Sequence, residues 1–318
     1  MNYKSCNPNA IKEVNDVLKY LNEISGDSII TGQHTKTKAQ EELTYIHRVT
    51  GKLPALCGFE LLAYSPNINY EKSDDACLKE VNENKNTLEE AWAWAEKGGL
   101  ITFTWHWFSP LGGENKAFYS EHTDFDAREA LKDGTPENKA LISDMDHMAE
   151  ILRSFQDKRI PILWRPFHEA EGTWFWWGKY GPKVAKKLYR KMYDRYTNYH
   201  KLNNLIWVWN SPLIEGYVGD DVCDVISYDF YPPKHEHNDR AKEYYELVQI
   251  TTTNKLTAIG EIGAIPSIKQ LSQTHLPWIW YMTWCGEFCS EEYTLDEELF
   301  SAYHHPYAIT LDVLPTLY

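Results

Sequence analysis

The stretch IPILWRPFHEAEGTWFWWG, residues 160–178, decides the reading of the fold. It begins as a short apolar run through Ile162, Leu163 and Trp164, then changes abruptly to Arg165, His168 and Glu169. Four large aromatics follow within ten positions: Trp174, Phe175, Trp176 and Trp177. A core accepts tryptophans and refuses unpaired charge, while a solvated surface does the reverse. An apolar strand whose far end opens into a cleft accommodates both.

The same arrangement recurs along the chain. Buried-strand runs occur at 28–34, 53–61, 99–107, 160–168, 204–211, 223–231, 256–263 and 278–285. Each is rich in β-branched or aromatic residues, and each closes on polar ones. The ends read His34; Glu60; His106 and Trp107; Arg165, His168 and Glu169; Asn210; Asp229 and Tyr231; Glu261; and Trp284. Helical spacing fills the intervals. Leu141, Met145, Met148, Leu152 and Phe155 recur on one helix face, as do Val184, Leu188, Met192, Tyr196 and Tyr199. Gly181 and Pro182 stand where the second of these helices begins. Ile11, Val14, Leu18, Leu21 and Ile24 define an opening helix, and the segment near PSIKQLSQ predicts a short one.

Eight strands alternating with helices predict an α/β fold, a (β/α)8 TIM barrel forming a single domain over 1–318, with its site at the C-terminal strand ends. A doubly wound open sheet is the alternative, but its first strand is usually followed by a glycine-rich phosphate turn, and TGQHTKTK is not one. The connection at 108–136 is long and falls after the third strand, where it would help shape the cleft.

Composition narrows the function. A formal net charge of −14 argues against nucleic acid and anionic membranes as partners. The N-terminus lacks the basic start and apolar core of a secretory leader, which read literally places the chain in the cytoplasm. The six cysteines show no metal-finger spacing and read as mostly reduced and structural. Thirteen tryptophans and 21 tyrosines fit either an aromatic core or a cleft that stacks sugar rings. Trp92 and Trp94 sit in a helical stretch and read as packing residues; Trp207 and Trp209 read as filling either the barrel interior or the strand–helix layer.

Two glutamates, Glu169 and Glu261, end the fourth and seventh strands. Such a pair suits glycoside hydrolysis, in which one carboxyl protonates the leaving oxygen and the other attacks the sugar. Glu169, beside the apolar bulk of Trp174, reads as the desolvated acid, with Arg165 and Tyr231 as supports for the nucleophile. Glu60 reads as a structural hydrogen-bond partner or a substrate-positioning group. His34, His106 and His168 read as core histidines or as members of the site. A metal hydrolase is disfavoured: the first strand ends Gln33-His34 rather than His-x-His, and no H-E-x-x-H occurs. No metal and no cofactor are expected.

WRPFHEAEGTWFWWG resembles the signature of glycoside hydrolase family 26, best known for retaining endo-β-1,4-mannanases. TGQHT, ITFTWHWFSP, DFY, GEIG and YMTW resemble that family's first, third, sixth, seventh and eighth strand ends, so the resemblance covers nearly the whole chain. It implies Glu169 as acid/base and Glu261 as nucleophile, with Tyr231 close to the nucleophile. It implies that Arg165 and His168 line the subsite next to the cleaved bond, and that His106, Trp174 and Trp284 contact sugar there. Trp107, Asp229, Glu60 and His34 join the substrate-binding set from their strand-end positions alone. The resemblance further implies a secreted protein acting on polysaccharide or oligosaccharide; a monomer is expected. The family also holds β-1,3-xylanases and mixed-linkage β-glucanases, and a sugar-binding protein without catalysis is the distant alternative. Two departures stand out: Cys285 follows Trp284 where many mannanases have a polar or basic residue, and Glu171 adds a carboxylate two positions after the acid.

Overall fold

Side chains alternate in direction along a strand, and here both faces of the strands are apolar for most of their length, as a closed sheet covered by helices requires. The computed structural model describes residues 3–318. In it β1 (Ile29–His34), β2 (Leu56–Glu60), β3 (Leu100–Thr104), β4 (Ile162–Trp164), β5 (Leu205–Asn210), β6 (Val225–Phe230), β7 (Leu256–Ile262) and β8 (Trp278–Thr283) run parallel. Each pairs with the next, and β1 pairs with both β2 and β8, closing the barrel. A two-residue strand, β9 (Ala308–Ile309), adds to the start of β1, where the sequence reading has no counterpart.

The helices are α1 (Lys12–Ile24), α2 (Glu41–Thr50), α3 (Asp75–Glu83), α4 (Thr87–Glu96), α5 (Ala127–Ala130), α6 (Pro136–Asp157), α7 (Pro182–Asp194), α8 (Ala241–Val248), α9 (Ile268–Thr274) and α10 (Asp296–His304). Their starts follow local chemistry. Thr135 caps α6 by accepting from the Asn138 amide at 3.1 Å, with Pro136 at the first helical position. The short helix expected near PSIKQLSQ is α9, at seven residues.

Alternation sorts the core into two layers. Ile30, Leu56, Leu100, Leu163, Val208 and Ala258 face the barrel interior, where Val14, Val17, Leu18 and Leu21 of α1 join them. The amphipathic opening helix therefore plugs the lower end of the barrel with hydrocarbon. The other strand face packs under the helices, and Trp207 and Trp209 belong to that outer layer. Trp94 is buried and Trp92 packs on Phe155 of α6 at 5.5 Å, so the α4 tryptophans pack.

The polar residues are left at the opposite end. There the connection at 108–136 folds back, with the Ser120 amide donating to the Trp174 carbonyl at 2.7 Å and the Trp176 amide to the Phe118 carbonyl at 3.1 Å. The long connection and the aromatic turn after β4 thus form one wall of the mouth.

Leu18→Ala tests the plug. Leu18 is fully buried, so its truncation should cost about 2–5 kcal/mol in denaturant unfolding. A loss below about 1 kcal/mol would mean that α1 lies on the barrel without being packed into it.

Candidate active site

Parity decides which strand-end residues reach the mouth. On β3 the inward series Leu100, Thr102, Thr104 continues to His106, while Trp105 and Trp107 fall on the outer face and stack on each other at 4.1 Å. The expectation that Trp107 contacts sugar is corrected. It is buried, and its indole N–H donates to Asp144 of α6 at 2.8 Å.

β7 breaks the parity, and the break positions a candidate catalytic group. Leu256 and Ala258 face inward, so simple alternation would send Gly260 inward and Glu261 outward. The pairing with β6 slips after Tyr228: Tyr228 lies opposite Ile259, but Asp229 lies opposite Glu261. This irregularity turns Glu261 in beside Asp229. Gly260 is the residue that permits it, since a Cβ there would lie 2.3 Å from Asp229 Oδ1 and 2.7 Å from Asn210 Nδ2.

A buried network joins these ends. Arg165 donates through one amino group to Asp229 at 2.5 Å and through the other to Glu261. The Tyr231 hydroxyl donates to the other Glu261 oxygen at 2.5 Å. Asn210 donates to Asp229 at 2.7 Å and to Ser227 at 2.9 Å, while its carbonyl oxygen accepts from the Glu169 amide at 2.7 Å. The Arg165 and Asp229 side chains have essentially no exposed surface. The expectation that they contact sugar is corrected: Arg165 grips Glu261, the supporting role also expected of it, and Asp229 pairs with Arg165. One oxygen of each of Glu169, Asp229 and Glu261 lies within 4.8 Å of the others. Such a carboxylate triad suits a cation, and the cation bonded to two of its members is the Arg165 guanidinium.

Glu169 has the opposite surroundings. It lies at φ +53° on a turn, and among the described residues its carboxylate accepts only the Trp174 indole N–H, at 2.6 Å. Burial, the negative charge of Glu261 and that of Glu171 push its carboxyl up to about 7, against the pull of the indole donor. The pair thus comprises a carboxyl held protonated near neutral pH and a carboxylate gripped by a guanidinium and a phenol.

The other predicted residues divide by depth. Glu60 accepts from the His106 amide at 2.8 Å, its Nδ1 at 2.6 Å, the Leu62 amide at 2.9 Å and the Thr104 hydroxyl at 3.0 Å. These bonds consume its carboxylate, so of its two expected roles it takes the structural one. Burial alone would raise the Glu60 carboxyl and lower the His106 imidazole. Their pairing outweighs it, holding Glu60 at about 2 and raising His106. His168, buried and facing His106 across 3.2 Å between Nε2 atoms, is driven well below its ordinary range. The protonation that fits is His106 donating to a neutral His168. His34 lies beneath Trp284, the rings stacked at 4.1 Å, and burial lowers its imidazole to about 3. Trp174 and Tyr231 are 46% and 42% exposed and present flat faces at the mouth with the part-exposed Trp284.

Beside the pair opens a recess of about 360 Å³, lined by His34, Glu60, His106, Trp284, Cys285 and Phe288 among others. Burial raises the Cys285 thiol well above its usual range, so it lines the recess as a neutral group. All six cysteines are free. The sequence reading missed Phe118, Tyr119 and Phe175, which form an aromatic cluster against His106 and His168, and Phe288, which packs on Tyr231 at 4.9 Å. Phe175 at least was signalled by its place in the aromatic run.

The sequence profile of glycosyl hydrolase family 26 matches residues 6–313. A mannan endo-1,4-beta-mannosidase of Thermothelomyces thermophilus is 37% identical over 315 residues, covering 96% of this chain and 62% of that protein. Mannan endo-1,4-beta-mannosidase A of a Piromyces species is 30% identical over 318 residues, 98% of this chain and 50% of the relative. The chain thus spans between half and two thirds of the length of these relatives. Among solved structures, the Podospora anserina GH26-CBM35 beta-(1,4)-mannanase superimposes with a TM-score of 0.89 at 33% identity, over 100% of this chain and 70% of that one. The beta-mannanase of a symbiotic protist of the termite Reticulitermes speratus, complexed with gluco-manno-oligosaccharide, gives 0.88 at 30% identity, over 99% and 98%.

Two substitutions test the geometry. Glu171→Gln removes a negative charge that favours the protonated form of Glu169, so the Glu169 titration, followed by NMR of labelled glutamate, should move to lower pH. Trp174→Phe removes a donor to the carboxylate and should move it to higher pH. Shifts in the same direction would refute the assigned causes.

Proposed function

The chain belongs to glycosyl hydrolase family 26, and from that premise we propose that it is a retaining glycoside hydrolase that cleaves β-1,4-mannosidic bonds in mannan, glucomannan or galactomannan. The observation that carries the reading is the pairing of Glu169, held protonated to about pH 7, with Glu261, one oxygen of each within 4.8 Å of the other. Retaining enzymes keep their carboxyl groups about 5–5.5 Å apart, and inverting ones about 6.5–9.5 Å, to leave room for a water. The short spacing favours direct attack by a carboxylate.

In the first step the Glu261 carboxylate attacks the anomeric carbon as Glu169 gives its proton to the glycosidic oxygen. The bond to the leaving sugar breaks, and a glycosyl ester forms on Glu261. In the second step Glu169, now a carboxylate, takes a proton from water. The resulting oxygen attacks the same carbon, Glu261 is released, and two inversions leave the configuration retained. Tyr231, bonded to Glu261, steadies the nucleophile on the side away from Arg165. Trp174 and Trp284 offer apolar faces to the sugar rings, and a ring seated on Trp174 shields the acid from water.

Mannan as the substrate rests on the activities of the relatives. The test is product analysis on linear mannan, glucomannan, galactomannan, β-1,3-xylan and mixed-linkage β-glucan. The expected result is a ladder of mannooligosaccharides, with Glu261→Ala reducing turnover by about a thousandfold or more. Turnover of xylan or glucan alone would overturn the substrate, and near-normal turnover in the variant would overturn the mechanism.

The pH dependence follows from the acid. Because Glu169 must carry its proton, kcat/KM should fall as pH rises through about 7, the value to which burial and Glu261 push it. A rate that stays flat to pH 9 would exclude Glu169 as the acid.

A further inference from the structure

Apart from the catalytic pair, the loop after β6 carries His235 and His237, and α10 carries Glu298. One nitrogen of each histidine and one oxygen of the glutamate lie within 4.8 Å of one another. The His237 ring is oriented: its Nδ1 lies 2.7 Å from the Ile265 carbonyl oxygen. That oxygen only accepts, so Nδ1 carries the proton and Nε2 presents a lone pair, the arrangement in which histidine binds metal.

His237 Nε2 lies 2.9 Å from Glu298 Oε2. Both atoms are shut off from solvent, yet among the described residues they make no hydrogen bond. An imidazolium–carboxylate pair would place the oxygen along the N–H axis. An oxygen close to the nitrogen but off that axis stands where a second ligand of a shared ion would stand. His235 is exposed, in a left-handed backbone conformation at φ +62°, and its amide donates to the Tyr293 carbonyl at 3.1 Å. A pocket of about 370 Å³ lined by His237 and Glu298 adjoins the group and leaves room for water as a further ligand.

We propose that His235, His237 and Glu298 form a binding site for a divalent ion of the zinc class. Two imidazoles and one carboxylate form a donor set suited to zinc, whereas calcium and magnesium take oxygen-rich ones. The ion is structural. It joins the loop after β6 to α10, and through the Ile265 carbonyl it also engages the segment after β7. Tyr231 begins that loop, and a Lys234–Glu292 ion pair at 2.6 Å already ties it to the segment preceding α10. The metal reinforces an existing tether and takes no part in hydrolysis.

The test uses the full chain, stripped with a chelator, dialysed, and titrated with zinc chloride or calcium chloride by calorimetry and thermal unfolding. Saturable binding of one zinc is expected, with Tm raised by about 5 °C or more at a hundredfold excess over Kd and no response to calcium. His235→Ala, an exposed position, should weaken zinc binding at least tenfold while Tm without metal stays unchanged. Glu298→Gln should do the same to zinc affinity. Absence of saturable zinc binding by the unaltered chain would overturn the proposal. So would an equal zinc-induced rise in Tm for the unaltered chain and a His235→Ala/Glu298→Gln double variant.

Discussion

A guanidinium enclosed by protein must be met by anions, and the mouth of this barrel is arranged around that requirement. Arg165 leaves the end of β4 with no solvent access, so Asp229 from β6 and Glu261 from β7 are drawn to it. Asn210 at the end of β5 fixes Asp229 and also takes the amide of Glu169. Four consecutive strands are thereby locked at their polar ends by one set of bonds, and both glutamates belong to it. Burying such ions carries a desolvation cost of several kcal/mol each, recovered only with good geometry and full pairing. The same low-dielectric surroundings give the Glu169–Glu261 repulsion its strength.

The abundance of tryptophan has a related cause. Ten of the thirteen are buried, and three of these, Trp107, Trp176 and Trp177, pack around the turn after β4. That turn holds two non-glycine residues at positive φ, Phe167 and Glu169, both at +53°. Such conformations cost on the order of 1–3 kcal/mol each and persist only where the surroundings enforce them. Here Phe167 packs between Trp107, Trp176 and Trp177, and the Trp176 and Trp177 indoles donate to the Trp107 and His168 carbonyls at 2.7 and 2.9 Å. The aromatics hold Glu169 in its unusual posture.

The barrel was legible in the sequence because strand and helix periodicities alternate cleanly and the polar residues gather at one end of every strand. Both glutamates were legible for the same reason. What a linear reading lacks is depth. Glu60, Arg165 and Asp229 occupy a lower, enclosed layer, whereas Trp174, Tyr231 and Trp284 form an upper, open one, and polarity alone does not separate the two. Trp107 was misplaced by a single position, since only His106 has inward parity. Strict alternation would have pointed Glu261 outward; the irregularity around Gly260 that turns it in shows only in the pairing of β6 with β7. β9 was too short to leave a signal.

The stitching of the 108–136 connection to the aromatic turn has a consequence for how such a cleft can vary. Ser120 donates through both its amide and its hydroxyl, to the Trp174 and Thr173 carbonyls, and Lys179 reaches back to the Ser120 and Thr123 carbonyls. These bonds run in both directions, so the rim on this side is built from the two segments together. Recombination that brought in a foreign β3 connection alone would leave the turn that carries Glu169 without its partner. Remodelling of the cleft rim through this wall would have to proceed by exchange of both segments together.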